Sequence, residues 1–497
     1  MQLPIQPLAR HGPSLQDQLF DRFLGLLADG RLTSGARMPA TRQLAQDLGI
    51  SRNTVVQTYE RLAAEGFIEM RGPRGAFVTA HGADLLVAPA TVPDEMEAEP
   101  TSAASDTAMP WDDGRHVMRS PYVGELAYDF WVGRPDMRLF PSLAWRRLIN
   151  EALIEMQDSD GSYGDPAGLW RLRTALARHV GQSRGIVCTA DDVIITNGIQ
   201  EGINIVARLL VAQGVPVGME CPGYLGGANV LASFGARLVP VHIDAEGAQL
   251  DQLPPNCRLM YLTPAHQYPT GVALAPERRS AWLQWAQAQD GYLIEDDYDS
   301  DFYYDSVPPP AIKAQDEHGR VIYLGTFSKS LSAGLRMGYM VVPRQLRRAA
   351  IGVKGLLTNG SPLLTQMTLS AFLDGGLYER QLRRLRVMYG ARRDALRSAL
   401  MDLFGSDTVS GAQAGMHVLW HLPLALPDAA EIERAARSVG VGIYSVEQCN
   451  GWLDAACRER ARRFVLLGYA ALNAAEIRAA LTRLKQALPA ESAVVTE

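Results

Sequence analysis

Lys329 is one of only four lysines in a chain that carries 48 lysines and arginines together, and it stands in Gly325-Thr326-Phe327-Ser328-Lys329-Ser330-Leu331-Ser332-Ala333-Gly334-Leu335-Arg336. Arginine keeps its proton near neutral pH, whereas a buried lysine beside other cations can lose it and attack an aldehyde. Thr326, Ser328 and Arg336 put two hydroxyls and a guanidinium close to that amine, a set suited to a phosphate. An amine nucleophile beside a phosphate grip points to pyridoxal phosphate held as a Schiff base. A surface lysine in a Ser/Gly turn is the plainer reading of the stretch alone.

The elements around it favour the chemistry. From Tyr128 onward short apolar runs that read as buried parallel strands alternate with helical stretches: Val193-Ile194-Ile195, Val215-Pro216-Val217, Leu238-Val239, Leu259 to Leu262, Tyr292-Leu293-Ile294 and Val321 to Leu324. In such α/β sheets ligands sit at the carboxyl ends of the strands, so the polar residues after each run matter most. Thr196-Asn197-Gly198-Ile199-Gln200 opens a helix whose first N–H groups (Gly198, Ile199, Gln200) can take an anion. Tyr224 can stack on a flat ring. His266 lies in the segment after Leu262. Asp296 can pair with a pyridinium nitrogen and make the ring an electron sink, and Tyr298 can donate to a phenolic oxygen. Singly, Tyr224 reads as a core aromatic, Asp296-Asp297 as a solvated turn and His266 as a loop histidine; their succession after apolar runs argues for one site.

Residues 1–80 behave as a separate unit. Leu15, Leu19, Phe23, Leu26 and Leu27 predict a helix with one buried face, Pro39-Ala40-Thr41 opens a second, and Ser51 caps a third that buries Val55, Val56, Tyr59 and Leu62. A hairpin with a Gly/Pro-rich tip follows over 69–78. This is the order of a helix-turn-helix with a wing. The third helix presents Ser51, Arg52, Asn53 and Thr54 at its N-terminal end, where a recognition helix meets double-stranded DNA, and Arg42, Arg71, Gly72 and Arg74 flank it. Residues 81–126, rich in Ala, Pro and acids, predict an extended acidic linker, and 127–497 the α/β region.

A chain of 497 residues is long for one core, and its net charge of −6 confines nucleic-acid contacts to a local surface. The five cysteines are odd in number and form no CxxC pair. They read as reduced thiols in a cytoplasmic protein, and no Cys/His cluster at metal-ligand spacing is visible, so no metal is expected. No apolar run reaches membrane-spanning length.

Met38-Pro39-Ala40-Thr41-Arg42-Gln43-Leu44-Ala45, Gly49 to Val55 and Leu62 to Phe67 resemble the GntR winged-helix family. Tyr163-Gly164-Asp165-Pro166-Ala167-Gly168, the Tyr224 segment, Pro269-Thr270-Gly271, Asp296 and Ser328-Lys329 to Arg336 resemble, in that order, class I aminotransferases of pyridoxal-phosphate fold type I. Joined, they resemble the MocR subfamily of GntR regulators. The resemblance implies a winged helix fused to a fold type I α/β domain with a smaller α+β subdomain. It implies Lys329 as the Schiff-base lysine, Asp296 on the pyridine nitrogen, Tyr224 stacked on the ring and Tyr298 on its oxygen. Thr326, Arg336 and the Gly198 turn take the phosphate. Tyr163 matches a tyrosine that crosses to the neighbouring subunit, implying a homodimer with each winged helix packed on its partner.

Three departures separate the chain from a working aminotransferase. Tyr268 stands where the enzymes carry the asparagine of Asn-Pro-Thr-Gly, and Ile199 stands where they carry a hydroxyl residue. The arginine that forks a substrate α-carboxylate falls at Leu466, with Arg462 or Arg463 able to replace it only in another strand register. A kept cofactor pocket with a lost carboxylate clamp favours sensing of an amino compound, or of pyridoxal phosphate itself, over turnover. The alternative is an active aminotransferase with a DNA-binding appendage.

Overall fold

A computed structural model describes residues 13–80, 124–157, 162–405 and 408–488, so most of the linker expected over 81–126 lies outside the described residues. The chain divides into two compact units, one within Met1–Met109 and one within Pro110–Glu497.

In the first unit, Ser14 caps the helix Leu15–Ala28, its hydroxyl accepting from the Asp17 N–H at 3.1 Å. That helix buries Leu19, Phe20, Phe23, Leu26 and Leu27. Leu15, expected inward, is 37% exposed, and Phe20 is buried instead, its ring edge-on to Phe67. The helix Thr41–Leu48 ends on Gly49 in the left-handed region, which a residue without a Cβ enters at no steric cost. Ser51 then caps the helix Arg52–Ala64, accepting from the Thr54 N–H. The wing is the antiparallel pair Ile68–Met70 and Ala76–Val78 around a turn at Gly72–Arg74. Leu44, Val55, Tyr59, Leu62 and Phe67 close a core of the unit's own.

The second unit is built on a sheet whose strands lie in the order 193–196, 338–341, 321–326, 292–297, 259–262, 216–221, 237–244 and 247–248. Every apolar run read from the sequence is in it. The sheet is mixed, however, not parallel throughout. Gly338–Val341 inserts antiparallel between Val193–Thr196 and Val321–Thr326, and the terminal pair with Gly247–Ala248 is also antiparallel. The loop carrying Lys329 returns directly into the sheet through that inserted strand, and a return this short can only be antiparallel.

One strand runs further than its apolar letters. Tyr292–Asp297 takes Glu295, Asp296 and Asp297 into the ladder. Alternation then sends Glu295 and Asp297 to one face and Asp296 to the other. Glu295 accepts from the N–H groups of Ile312 and Lys313, and Asp297 pairs with Arg184 and the Tyr323 hydroxyl. Asp296 faces a cavity at the carboxyl ends of the strands.

A smaller antiparallel sheet, ordered 409–410, 417–421, 464–468 and 444–445, packs with the helices Leu377–Phe404, Ala429–Ser438 and Ala474–Ala487. Tyr128–Asp129 pairs with Val441–Gly442, which holds the 128–134 segment between the two sheets.

Candidate cofactor and DNA sites

A cavity of ≈ 410 Å³ opens where the carboxyl ends of the main strands meet the smaller sheet. Ten residues singled out from the sequence line it: Gly198, Ile199, Gln200, Tyr224, Asp296, Tyr298, Thr326, Ser328, Lys329 and Arg336.

One end is an anion cradle. Gly198, at φ +97°, caps the helix Ile199–Leu210 and turns that helix's first N–H groups to the cavity. The Thr326 hydroxyl donates to Ser328 Oγ at 2.9 Å and accepts from the Ser328 N–H. Arg336, itself left-handed at φ +50°, donates to the Asn197 carbonyl at 2.5 Å, which brings its guanidinium beside the same turn. A Cβ on Gly198 would sit 3.1 Å from Arg336 Nη2, and its φ of +97° would strain any larger residue there.

The other end holds the amine and the carboxylate. Lys329 Nζ donates to the Gly133 carbonyl at 3.1 Å, and burial holds its ammonium below the ordinary lysine range, against the pull of Asp299 and Asp296. Burial pushes Asp296 up to about 7, although its Oδ2 accepts from the Tyr261 hydroxyl. Its other oxygen, Oδ1, is buried without a hydrogen-bond partner. Such an orphan is costly unless a donor is meant to reach it, and a protonated ring nitrogen is such a donor. Gln200 donates to the Tyr224 hydroxyl at 2.8 Å and fixes that ring at the cavity wall. Amine, orphaned carboxylate oxygen, aromatic wall and anion cradle together fit pyridoxal 5'-phosphate.

Two expected residues do not line this cavity. His266 is buried behind it, its Nδ1 3.0 Å from Asp299 and its Nε2 3.2 Å from the Gly411 carbonyl. Despite burial, Asp299 holds its imidazole above the usual value, so it supports the wall instead of touching a ligand. Tyr163 is 85% exposed and outside the chain's own cavity.

The carboxylate clamp is absent from its family position. Leu466 lies in the strand Phe464–Gly468, fully buried against Trp131, Leu419 and Tyr444. Arg463 spends its guanidinium on the carbonyls of Leu422, Pro423 and Leu426, and Arg462 points to Glu459. Neither replaces the clamp.

The sequence reading missed Arg134, which lines the cavity and is held by Asp129 through a 3.1 Å ion pair and a 2.9 Å bond to its carbonyl. It also missed the role of Tyr268, whose ring meets Tyr224 edge-on and whose hydroxyl donates to the Cys449 carbonyl. The motif marks Tyr268 as a departure but not what it touches, and nothing local marks Arg134, since both contacts depend on where the smaller sheet closes.

In the first unit Arg42, Ser51, Arg52, Asn53, Arg71, Gly72 and Arg74 are exposed and Thr54 is half-buried. Ser51 and Thr54 share a 2.8 Å hydroxyl contact at the helix start. Arg71 is paired with Glu69 and stacks over Phe77, so it must exchange a carboxylate for a phosphate to serve on DNA.

Comparison with known proteins accords with this geometry. Residues 131–484 match the aminotransferase class I and II model and residues 15–78 the model of bacterial regulatory proteins of the gntR family. The chain is 33% identical over 95% of its length to the probable rhizopine catabolism regulatory protein MocR of Rhizobium meliloti, covering 93% of that protein. It is 32% identical to the transcriptional regulator TauR of Rhodobacter capsulatus, covering 96% of each chain. It is 31% identical to the pyridoxine biosynthesis regulator PdxR of Corynebacterium glutamicum, over 81% of this chain and 82% of that one. Among solved structures, Pyrococcus horikoshii kynurenine aminotransferase superposes with a TM-score of 0.65 at 26% identity, over 72% of this chain and 90% of its own. Thermus thermophilus LysN, complexed with N-(5'-phosphopyridoxyl)-L-leucine, gives 0.64 at 27% over 75% and 95%. The chain belongs to the MocR-type regulators, in which a gntR-type DNA-binding region is joined to a class I and II aminotransferase domain.

Proposed function

We propose that this DNA-binding transcription regulator holds pyridoxal 5'-phosphate at Lys329 and senses there an amine that also carries a carboxylate. One observation carries the reading: the amine, the orphaned Asp296 oxygen and the anion cradle are kept, while the clamp position is a buried leucine. Pyridoxal phosphate, when bound, supplies an aldehyde for amines and a ring that withdraws electrons. Lys329, its amine partly desolvated, gives up a proton more readily than a surface lysine. Asp296 Oδ1 would receive a protonated ring nitrogen, and such a pair would hold the carboxylate charged. Thr326, Ser328, Arg336 and the Gly198 turn would hold the phosphate, and Tyr224 and Tyr268 would screen the ring from water.

Arg134 gives the effector its second handle. Its pairing with Asp129 leaves a guanidinium at the cavity wall that can take a carboxylate. Arg134→Ala should weaken effector binding about tenfold to a hundredfold while leaving cofactor loading intact. Isothermal titration of the cofactor-loaded protein reads this, and unchanged effector affinity would remove Arg134 from the site.

Because Arg134 could also orient a substrate, turnover remains the competing reading. The test combines visible absorption with DNA footprinting upstream of the chain's own gene. An amine that shifts the cofactor band, leaves it there and alters footprinting supports sensing. Full conversion of the band that a keto acid reverses marks an aminotransferase. Footprinting that responds only to pyridoxal phosphate makes the cofactor itself the signal, as the name of the Corynebacterium relative suggests. A chain that protects no DNA there under any of these conditions does not regulate its own gene.

A further inference from the structure

The cysteines show no metal-binding spacing along the chain, yet the fold assembles a donor set from them. Cys221 ends the strand Pro216–Cys221 and lies in register with His242 on the adjacent parallel strand, so both side chains leave the same face. Asp454 caps the short helix Ala455–Ala461, and Cys457 is its third residue. The ligand atoms of Cys221, His242, Asp454 and Cys457 all lie within 4.8 Å of one another.

We propose that these four side chains form a tetrahedral site for Zn²⁺, which joins the main sheet to the segment leading into the smaller one. Zinc bonds of about 2.0–2.3 Å set tetrahedral ligand atoms roughly 3.3–3.8 Å apart, and the ligand atoms here, all within 4.8 Å of one another, lie about an ångström from that set. Two sulfurs, an imidazole and a carboxylate select a borderline thiophilic ion over Mg²⁺ or Ca²⁺.

The surroundings are those of metal-bound thiolates. The Asp454 N–H lies 3.3 Å from Cys221 Sγ, and Arg460 Nη2 lies 3.3 Å from Cys457 Sγ, so each sulfur accepts a hydrogen bond. With the thiol protonated, Cys457 Sγ donates to the Cys221 carbonyl at 3.3 Å; zinc binding releases that proton and the one on Cys221 to solvent. Two thiolates and a carboxylate carry three negative charges, which one divalent cation and Arg460 offset. Both sulfurs are buried, whereas the His242 and Asp454 side chains are 33% and 26% exposed. The ion therefore enters from the side where His242 Nε2 and Asp454 Oδ2 meet at 2.7 Å.

Placement gives the site a consequence. Gly223–Tyr224, just past Cys221, pairs with Gly451–Trp452, just before Asp454. Cys449 and Asn450, at the far side of that ribbon, line the cofactor cavity. Zinc ties the ribbon at its base and so steadies the wall that carries Tyr224.

Reduced, chelator-treated full-length protein should bind one Co²⁺ per chain. The complex should show a sulfur-to-cobalt band in the near ultraviolet and intense tetrahedral bands in the visible, all displaced by Zn²⁺. Cys457→Ser and Cys221→Ser should each reduce the sulfur-to-cobalt band and His242→Gln the visible bands, while Cys188→Ser, outside the cluster, leaves all unchanged. His242 is partly exposed, so its variant tests the site even where a cysteine variant fails to fold. No sulfur-to-cobalt band in the parent overturns the proposal. So does a spectrum unaffected by His242→Gln and by either folded cysteine variant, or a Cys221–Cys457 disulfide that persists with excess reductant and zinc.

Discussion

Asp296 shows how a single buried oxygen can report on a ligand. Burial raises both Asp296 and Glu220 to about 7, whereas unfolded carboxyls titrate near ~4. Between those values the folded chain holds more protons at these two sites than the unfolded chain. Their contribution to stability is therefore full at the acid end and is lost as pH rises towards about 7. Asp296→Asn removes one of the two groups, so the thermal midpoint of the cofactor-free variant should fall less steeply than the parent's between about pH 5 and 8. Parallel curves would mean that Asp296 is not ionising in this range. The residue types of the site were legible because chemistry restricts them: an amine, a carboxylate and hydroxyls after apolar runs. Arg134 and Tyr261 were not. Tyr261 reaches Asp296 only through the pairing of Leu259–Leu262 with Tyr292–Asp297, and a register between distant strands leaves no local trace.

At the scale of elements, caps were the most readable signals. Ser51 was identified as the start of the third helix from its residue type alone, and its hydroxyl does accept from the Thr54 N–H at 3.1 Å. Ser51→Ala should cost the first unit about 1 kcal/mol, seen as a lower denaturation midpoint of residues 13–80, which have their own core. An unchanged midpoint would show that the Ser51–Thr54 pair adds no net stability. Arg52→Ala, one residue on, should leave stability alone and lower the slope of log affinity against log salt for DNA by about one. A slope equal to the parent's would place Arg52 off the phosphates. What the reading left out was one strand: Gly338–Val341 was not among the apolar runs, and it is this inserted strand that makes the sheet mixed. The thiol cluster was hidden because Cys457 and Cys221 are 236 residues apart.

For the whole molecule, regulation requires that the cavity and the DNA-binding face exchange free energy. Linkage makes this reciprocal: an effector that changes DNA affinity by some factor must itself be bound more or less tightly by the same factor when DNA is present. Lys329→Ala should remove effector dependence from DNA binding without removing DNA binding itself, because the winged-helix core shares no residue with the cavity. Mobility-shift titrations with and without effector measure both quantities. If the variant still responds to the amine, the response does not pass through Lys329.

The 3.1 Å contact between Lys329 and the Gly133 carbonyl also bears on discrimination. Gly133 is at φ +69°, a backbone conformation that side chains rarely adopt, so a larger residue there would be strained as well as crowding Nζ. Once a cofactor engages that amine, the Gly133 oxygen must find another donor. An incoming ammonium can supply one; a keto acid of the same shape cannot. On the proposed reading, the backbone would then favour an amine over its oxidised counterpart by about 1 kcal/mol, or roughly fivefold, before any covalent step. Selectivity of that kind would come from a backbone carbonyl, and its mark in the sequence would be the glycine at 133.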